Sequence, residues 1–130
     1  DIIPSEFTDR DEYYSLVHKL GNVLLLESTI NQAVNHYNDL NANWFERKQN
    51  EYIKSDVATT NLMHHKYSIG KNTAINKFKS DYGYSFENWG KQSIIDRQRI
   101  LMELVFESWK FNDIRIDKFE ISELSNAKEL

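Results

Sequence analysis

The chain has no cysteine among its 130 residues. That excludes disulfides, thiolate metal sites and cysteine nucleophiles, so any bound metal must be held by oxygen or imidazole. It also suits a reducing compartment, and a cytoplasmic setting is expected. One proline and four glycines are all that punctuate the chain, which predicts long helices. No apolar run is long enough to cross a bilayer, so no membrane partner is expected. The amino end is acidic and lacks an apolar core segment, so a secretory leader is not expected either. The dinucleotide-binding glycine fingerprint, the phosphate-binding P-loop, the nucleophile elbow and the paired-histidine zinc motifs are all missing. Their absence removes the common nucleotide, serine-hydrolase and zincin readings.

What remains is a 15.4 kDa chain with 40% apolar residues, enough for one domain with a modest core. Its formal net charge of −4 is unusual for a free-standing nucleic-acid binder. The charge is unevenly spread. Residues 1–16 hold Asp1, Glu6, Asp9, Asp11 and Glu12 against Arg10. Residues 46–79 hold seven bases, Lys48 among them, against Glu46, Glu51 and Asp56. Such a basic middle is either a solvated face or a track for a phosphate backbone.

Periodicity gives the expected elements. Tyr13 to Lys19 reads as a short helical turn and Gly21-Asn22 as a turn dipeptide. Val23 to Leu26 is a short apolar run flanked by turn chemistry, which predicts a strand. Ser28 or Thr29 is expected to cap a helix carrying Ile30, Val34 and Tyr37. A further helix is expected from Trp44 to Ile53, weak helicity from Asp56 to Met63, a loop at Ser68–Asn72, and a helix from Thr73 to Tyr82. Ser93, with Asp96 three residues on, should open the clearest helix through a capping box. Ile94, Leu101, Leu104, Val105, Phe106 and Trp109 would then be buried. Alternation from Ile114 to Ile121 predicts a strand in a carboxy-terminal extension, residues 112–130, whose last residues are expected to be disordered.

Hydrolysis of a phosphodiester needs a base for water, stabilisation of charge on phosphorus and neutralisation of the leaving oxygen; a divalent ion can supply the last two. Mg²⁺ keeps several waters, so two protein oxygens can suffice. Asp1 and Asn31 are a candidate pair if the amino end and the helix face each other, and Asn22 could orient a base through its carbonyl. Seven asparagines fall between positions 22 and 50, so turn and cap roles compete with this reading.

In sequence order the chain shows Ile2-Ile3-Pro4, then Leu20-Gly21-Asn22-Val23-Leu24-Leu25-Leu26. Asn31 follows, then Phe45 with Lys48, Tyr52 with Ser55, Trp89, Ile94, Arg97, Leu101 and Trp109. Over residues 1–111 this order resembles the C-terminal nuclease domain of GmrSD-type modification-dependent restriction endonucleases, a branch of the HNH (His-Me finger) nucleases. The stretches Asn38 to Asn43 and Met63 to Tyr84 look inserted relative to that pattern.

The resemblance implies an α+β, mostly helical fold: a ββα-metal hairpin-helix core with additional packed helices. It implies a Mg²⁺- or Mn²⁺-dependent DNA endonuclease domain of a restriction or phage-defence protein. An N-terminal NTPase or DNA-reading domain is implied as a partner outside this chain. By the same resemblance Asn31 is a metal ligand, Asn22 orients the general base, and Lys48 and Arg97 contact phosphate or pair structurally. Phe45, Trp89 and Trp109 belong to the core. The family's catalytic His directly precedes Ile-x-Pro, where this chain has Asp1. Three readings stay open: a substitution that weakens or abolishes activity, a metal-binding acid retained without its His, or a fragment start. The alternative function is a catalytically silent nucleic-acid-binding or protein-interaction module of the same fold.

Overall fold

The computed structural model describes residues 2–67 and 73–118. Its helices are α1 (Arg10–Val17), α2 (Ser28–Asn35), α3 (Trp44–Tyr52), α4 (Ala58–Asn61), α5 (Ala74–Tyr82) and α6 (Lys91–Ser108). Two single 3-10 turns cover Leu20–Asn22 and Ile116–Lys118, and a two-stranded antiparallel ribbon joins β1 (Lys110–Phe111) to β2 (Ile114–Arg115). Mostly helical α+β is thus the observed class.

Local chemistry explains several boundaries. Asp9 caps α1 by accepting from the Glu12 N–H at 2.9 Å. Thr73 caps α5, and Gly83 ends it in the left-handed region at φ 63°. Asn112 and Asp113 both have positive φ, 49° and 64°, which is what a tight ribbon turn asks of its two central residues.

Four expectations are corrected. Val23–Leu26 is extended but is not a paired strand. Its carbonyls go to remote side chains instead. Arg97 Nη1 donates to Val23 O at 2.8 Å, and Thr60 Oγ1 donates to Leu25 O at 2.6 Å. Among the described residues, the expected hairpin-helix core therefore reduces to an extended segment leading into α2.

Second, Glu27 rather than Ser28 or Thr29 stands at the α2 cap position, and it makes no side-chain cap bond. Its carboxylate is taken by Ser55 Oγ (2.9 and 2.8 Å) and the Asp56 N–H (2.7 Å), which ties α2 to the end of α3.

Third, α6 begins two residues before Ser93, with Gly90 at its cap position. Ser93 Oγ accepts from the Gly90 N–H at 3.3 Å and donates to Asn88 O at 2.8 Å, while Asp96 accepts from Gln92. Only Ile94, Arg97 and Ile100 of α6 are buried. Leu101, Leu104 and Phe106 are half-buried, Val105 is exposed and Trp109 is 68% exposed, because no described element covers that half of the helix.

Fourth, the strand expected from Ile114 stops at Arg115. The Arg115 guanidinium binds Glu103, Glu107 and Asp117, drawing the chain back to α6. The expected loop at Ser68–Asn72 and the end of the expected strand, from Phe119 on, lie outside the described residues.

Two apolar clusters meet at Trp89. The larger holds Ile30, Val34, Phe45, Tyr52, Met63, Tyr84 and Ile100, and the smaller holds Phe7, Leu16 and Ile94. Gly21 lies so close to α6 that a Cβ there would sit 2.5 Å from Ile94 O and 2.7 Å from Gln98 N. The Gly21 N–H donates to Gln98 Oε1 at 2.7 Å. The amino end is held to the same helix. Glu6 accepts the Lys91 N–H at 3.0 Å, where the helix dipole favours an anion, and Lys91 Nζ pairs with Glu12 at 2.6 Å.

The Glu27 clasp carries a pH signature. Its own backbone N–H, the Asp56 N–H and the Ser55 hydroxyl hold its carboxyl below the ordinary value of 4.5. The charged form is the one favoured by folding. The stabilisation is therefore present above that ordinary value and is lost as pH falls through the lower folded one. Glu27→Gln should lower the urea midpoint at about pH 7, and the gap to the parent should narrow as pH is taken progressively below 4.5. A gap that stays constant with pH would contradict the clasp.

Candidate functional site

Four of the expected residues come together. Asn22, Asn31, Lys48 and Arg97 all line one open cleft of about 730 Å³, between the extended segment with α2 on one side and α3 with α6 on the other. Pro4 lines it too, so the amino-terminal segment reaches the cleft. Asp1, the fifth expected residue, lies outside the described residues.

Each member is placed by its element. Asn31 sits on the first turns of α2, exposed, and its side chain makes no hydrogen bond among the described residues. Asn35 is one helical turn on and lines the same cleft, as does Asn38 just beyond the helix end. Lys48 is half-buried on α3. Its ammonium donates to Asn38 Oδ1 at 2.6 Å and lies 5.3 Å from the centre of the Trp44 ring, and burial pushes its pKa down. Tyr52 follows on the same helix. Burial pushes its hydroxyl up to about 12, against the pull of the nearby Arg97 charge, so it stays protonated near neutral pH.

Arg97 is the unusual member. It is 3% exposed, yet no carboxylate pairs with it among the described residues. Its Nε donates to the Tyr84 hydroxyl at 2.8 Å, and its Nη1 donates to the carbonyls of Leu20 (3.2 Å), Gly21 (2.9 Å) and Val23 (2.8 Å). Nη2 makes no hydrogen bond among the described residues. Arg97 therefore fixes the turn that carries Asn22 and also puts beside the cleft a buried positive charge that has no anion among the described residues. A buried charge compensated only by dipoles is costly, and an incoming anion would relieve it.

Asn22 is committed at both ends. Its Nδ2 donates to Val17 O at 3.0 Å and its Oδ1 accepts from Trp89 Nε1 at 2.9 Å. One lone pair of Oδ1 remains for a further donor.

Among the described residues, the cleft contains two cations and no carboxylate or imidazole. No group of three or more His, Cys, Asp or Glu there could hold a metal ion. The described donors are neutral amide and hydroxyl oxygens beside Lys48 and Arg97, a set that does not by itself fit a divalent cation. It does fit an anion such as a phosphodiester.

Sequence reasoning missed Asn35, Asn38 and Tyr13. The spacing of four between Asn31 and Asn35 was the available signal for Asn35, since it puts both amides on one helix face. Neither Asn38 nor Tyr13 has a local signal.

Comparison with known proteins bears on this geometry. No curated protein and no solved structure matches the chain. Residues 4–104 match a family model described as "GmrSD restriction endonucleases, C-terminal domain". The match begins at the residue that reaches the cleft and includes Asn22, Asn31, Lys48 and Arg97. Spanning well over half its length, it makes this chain a member of the C-terminal domain family of GmrSD restriction endonucleases.

Proposed function

We propose that the domain binds DNA through this cleft and belongs to a one-metal, His-Me finger type of phosphodiester hydrolase. The observation that carries the reading is the convergence of Asn31, Lys48 and Arg97 on one cleft, which holds no carboxylate among the described residues, within the stretch matched by a restriction-endonuclease family. Lys48 and Arg97 would hold a backbone phosphate. In the reaction a water oxygen bonds to phosphorus, the bond to the leaving sugar oxygen breaks, and the water's proton passes through a base to that oxygen.

The base position in the family pattern is residue 1, with the Asn22 carbonyl as its orienting group. Asp1 is a weak base for water at neutral pH, since free aspartate has a pKa of about 3.9. Binding is thus expected to outlast catalysis in this chain. In this chain Mg²⁺ or Mn²⁺ would take Asp1 and Asn31 as protein ligands; Asp1→His trades that carboxylate for a base, so the ion would there rest on Asn31, its own waters and the phosphate. The partner expected of such a domain is an N-terminal NTPase or DNA-reading domain, acting in the cytoplasm.

A plasmid-nicking assay with Mg²⁺ or Mn²⁺ tests the reading. Asp1→His should nick and the parent should be slower or silent. Lys48→Ala should weaken DNA binding of either form and reduce the slope of log affinity against log salt by about one. If Asp1→His neither cleaves nor binds metal while the salt-dependent binding persists, the second reading holds: a silent nucleic-acid-binding module. That reading is favoured by the acid at the His position.

A further inference from the structure

A second pocket, of about 400 Å³, shares Trp44, Phe45 and Trp89 with the cleft. Those three side chains form the partition, with the Phe45 and Trp89 rings stacked at 5.4 Å. Beyond the partition the chemistry reverses. The pocket is lined by Asn43, Glu46, Glu87, Asn88 and His65 and, among the described residues, by no lysine or arginine. Two carboxylates repel a phosphate, so this is not a continuation of a backbone track.

Among the described residues, the side chains of Asn43, Glu46, Glu87 and Asn88 make no hydrogen bond. Asn43 adopts a left-handed φ of 58° directly before α3, yet its side chain does not cap the helix. Below them Gln49 is 1% exposed. Its Nε2 donates to Met63 O and Phe86 O, both at 2.7 Å, which turns Oε1 toward His65 Nδ1 at 3.4 Å. An amide oxygen only accepts, so the neutral His65 ring carries its proton on Nδ1 and keeps Nε2 as an acceptor. Carboxylates, amide oxygens and this nitrogen make the pocket rich in acceptors, beside indole surface.

We propose that this pocket takes a single unpaired nucleobase bearing an exocyclic amino group, from the DNA strand whose phosphate lies in the adjoining cleft. The inference rests on the DNA-binding reading above. The aromatic partition supplies a stacking face, which every base can use. Glu46 and Glu87 accept from amino groups such as cytosine N4 or adenine N6, which thymine lacks. The base must leave the duplex stack to enter, as bases read on all edges do.

The test uses short single strands in which every position is abasic except one, occupied by C, A, T or no base, titrated against the chain by tryptophan fluorescence. The base-bearing strands with C or A should bind on the order of tenfold tighter than the fully abasic strand, with T between them. The double variant Glu46→Gln, Glu87→Gln should erase the preference for C and A over T and leave the salt slope unchanged. Lys48→Ala should change the slope and keep the preference. Equal affinity for all four strands, with a normal salt slope, overturns this inference alone. No salt-dependent binding of any strand overturns the DNA-binding reading and this inference with it. Far-ultraviolet circular dichroism matching the parent establishes that the variants are folded, as expected for substitutions at two exposed residues.

Discussion

Arg97→Ala should destabilise the domain by roughly 4 kcal/mol, because hydrogen bonds from charged donors contribute about 1.5–3 kcal/mol each and add incompletely. The substitution strips donors from the carbonyls of Leu20, Gly21 and Val23 and from the Tyr84 hydroxyl, and the bonds to Gly21 and Tyr84 are buried where water replaces the donor poorly. Arg97 also belongs to the buried face of α6, so a cavity adds to the loss. One effect opposes these: the alanine variant no longer buries a charge that has no anion beside it among the described residues. That relief is smaller than the loss, because Gly21 O and the Tyr84 hydroxyl remain buried and lose their partner. A domain of this size has about 5–15 kcal/mol in total, so the variant should sit close to the unfolding threshold at 25 °C. Urea titration followed by circular dichroism measures it. Arg97→Lys should recover only part of the loss, since an ammonium lacks the planar fork that serves the Nε and Nη1 partners together. A loss below about 1 kcal/mol for the alanine variant would mean that the turn is held by something else.

Gly21→Ala should cost about 3 kcal/mol, at the upper end of the range for overpacking. The added methyl group would meet Ile94 O at 2.5 Å, Gln98 N at 2.7 Å and Gln98 Cβ at 2.9 Å. Two of these are helix backbone atoms, so no flexible side chain can yield. The turn must move away from α6, which would lengthen the Gly21 N–H bond to Gln98 and the Arg97 contact to Gly21 O together. Asn22 would be carried off with it, pulling on the bonds to Val17 O and Trp89 Nε1. A thermal midpoint lower by on the order of 10 °C, with weaker DNA binding in the molecules that stay folded, is the expected pair of results. A midpoint within about 2 °C of the parent would show that the close approach is not a constraint.

Both predictions turn on contacts more than 70 residues apart, and that separation is also why the sequence was only partly legible. The turn at Gly21-Asn22, the helix beginning at Trp44 and the helix beyond Thr73 could be read from local chemistry, and all three are present. Phe45 is core, as the family resemblance implied. Val23–Leu26 carries a strand's composition. What decides its state is where its carbonyls go, and the acceptor-seeking groups, Thr60 and Arg97, lie far along the chain. The same holds for Glu27, whose partners Ser55 and Asp56 come from the end of α3. The apolar stripe of α6 was legible, but burial depends on a covering element that periodicity cannot supply, and Trp109 stays exposed. In the site, the ordered motif set marked Asn22, Asn31, Lys48 and Arg97, which share the cleft. It did not mark Asn38, whose place there depends on a bond to Lys48. Nor could the sequence show that Arg97 clamps the turn through Nη1 while its Nη2 makes no hydrogen bond among the described residues.

Side-chain resonances locate bound DNA on the molecule. In a ¹H–¹⁵N titration of the chain with a short DNA duplex, the amide groups of Asn31, Asn35 and Asn38, the Arg97 guanidinium and the Trp89 indole should shift together. Those shifts should reverse as salt is raised. Shifts confined to the exposed end of α6 around Trp109, with these five signals unmoved, would contradict the assignment of the cleft as the DNA-binding site.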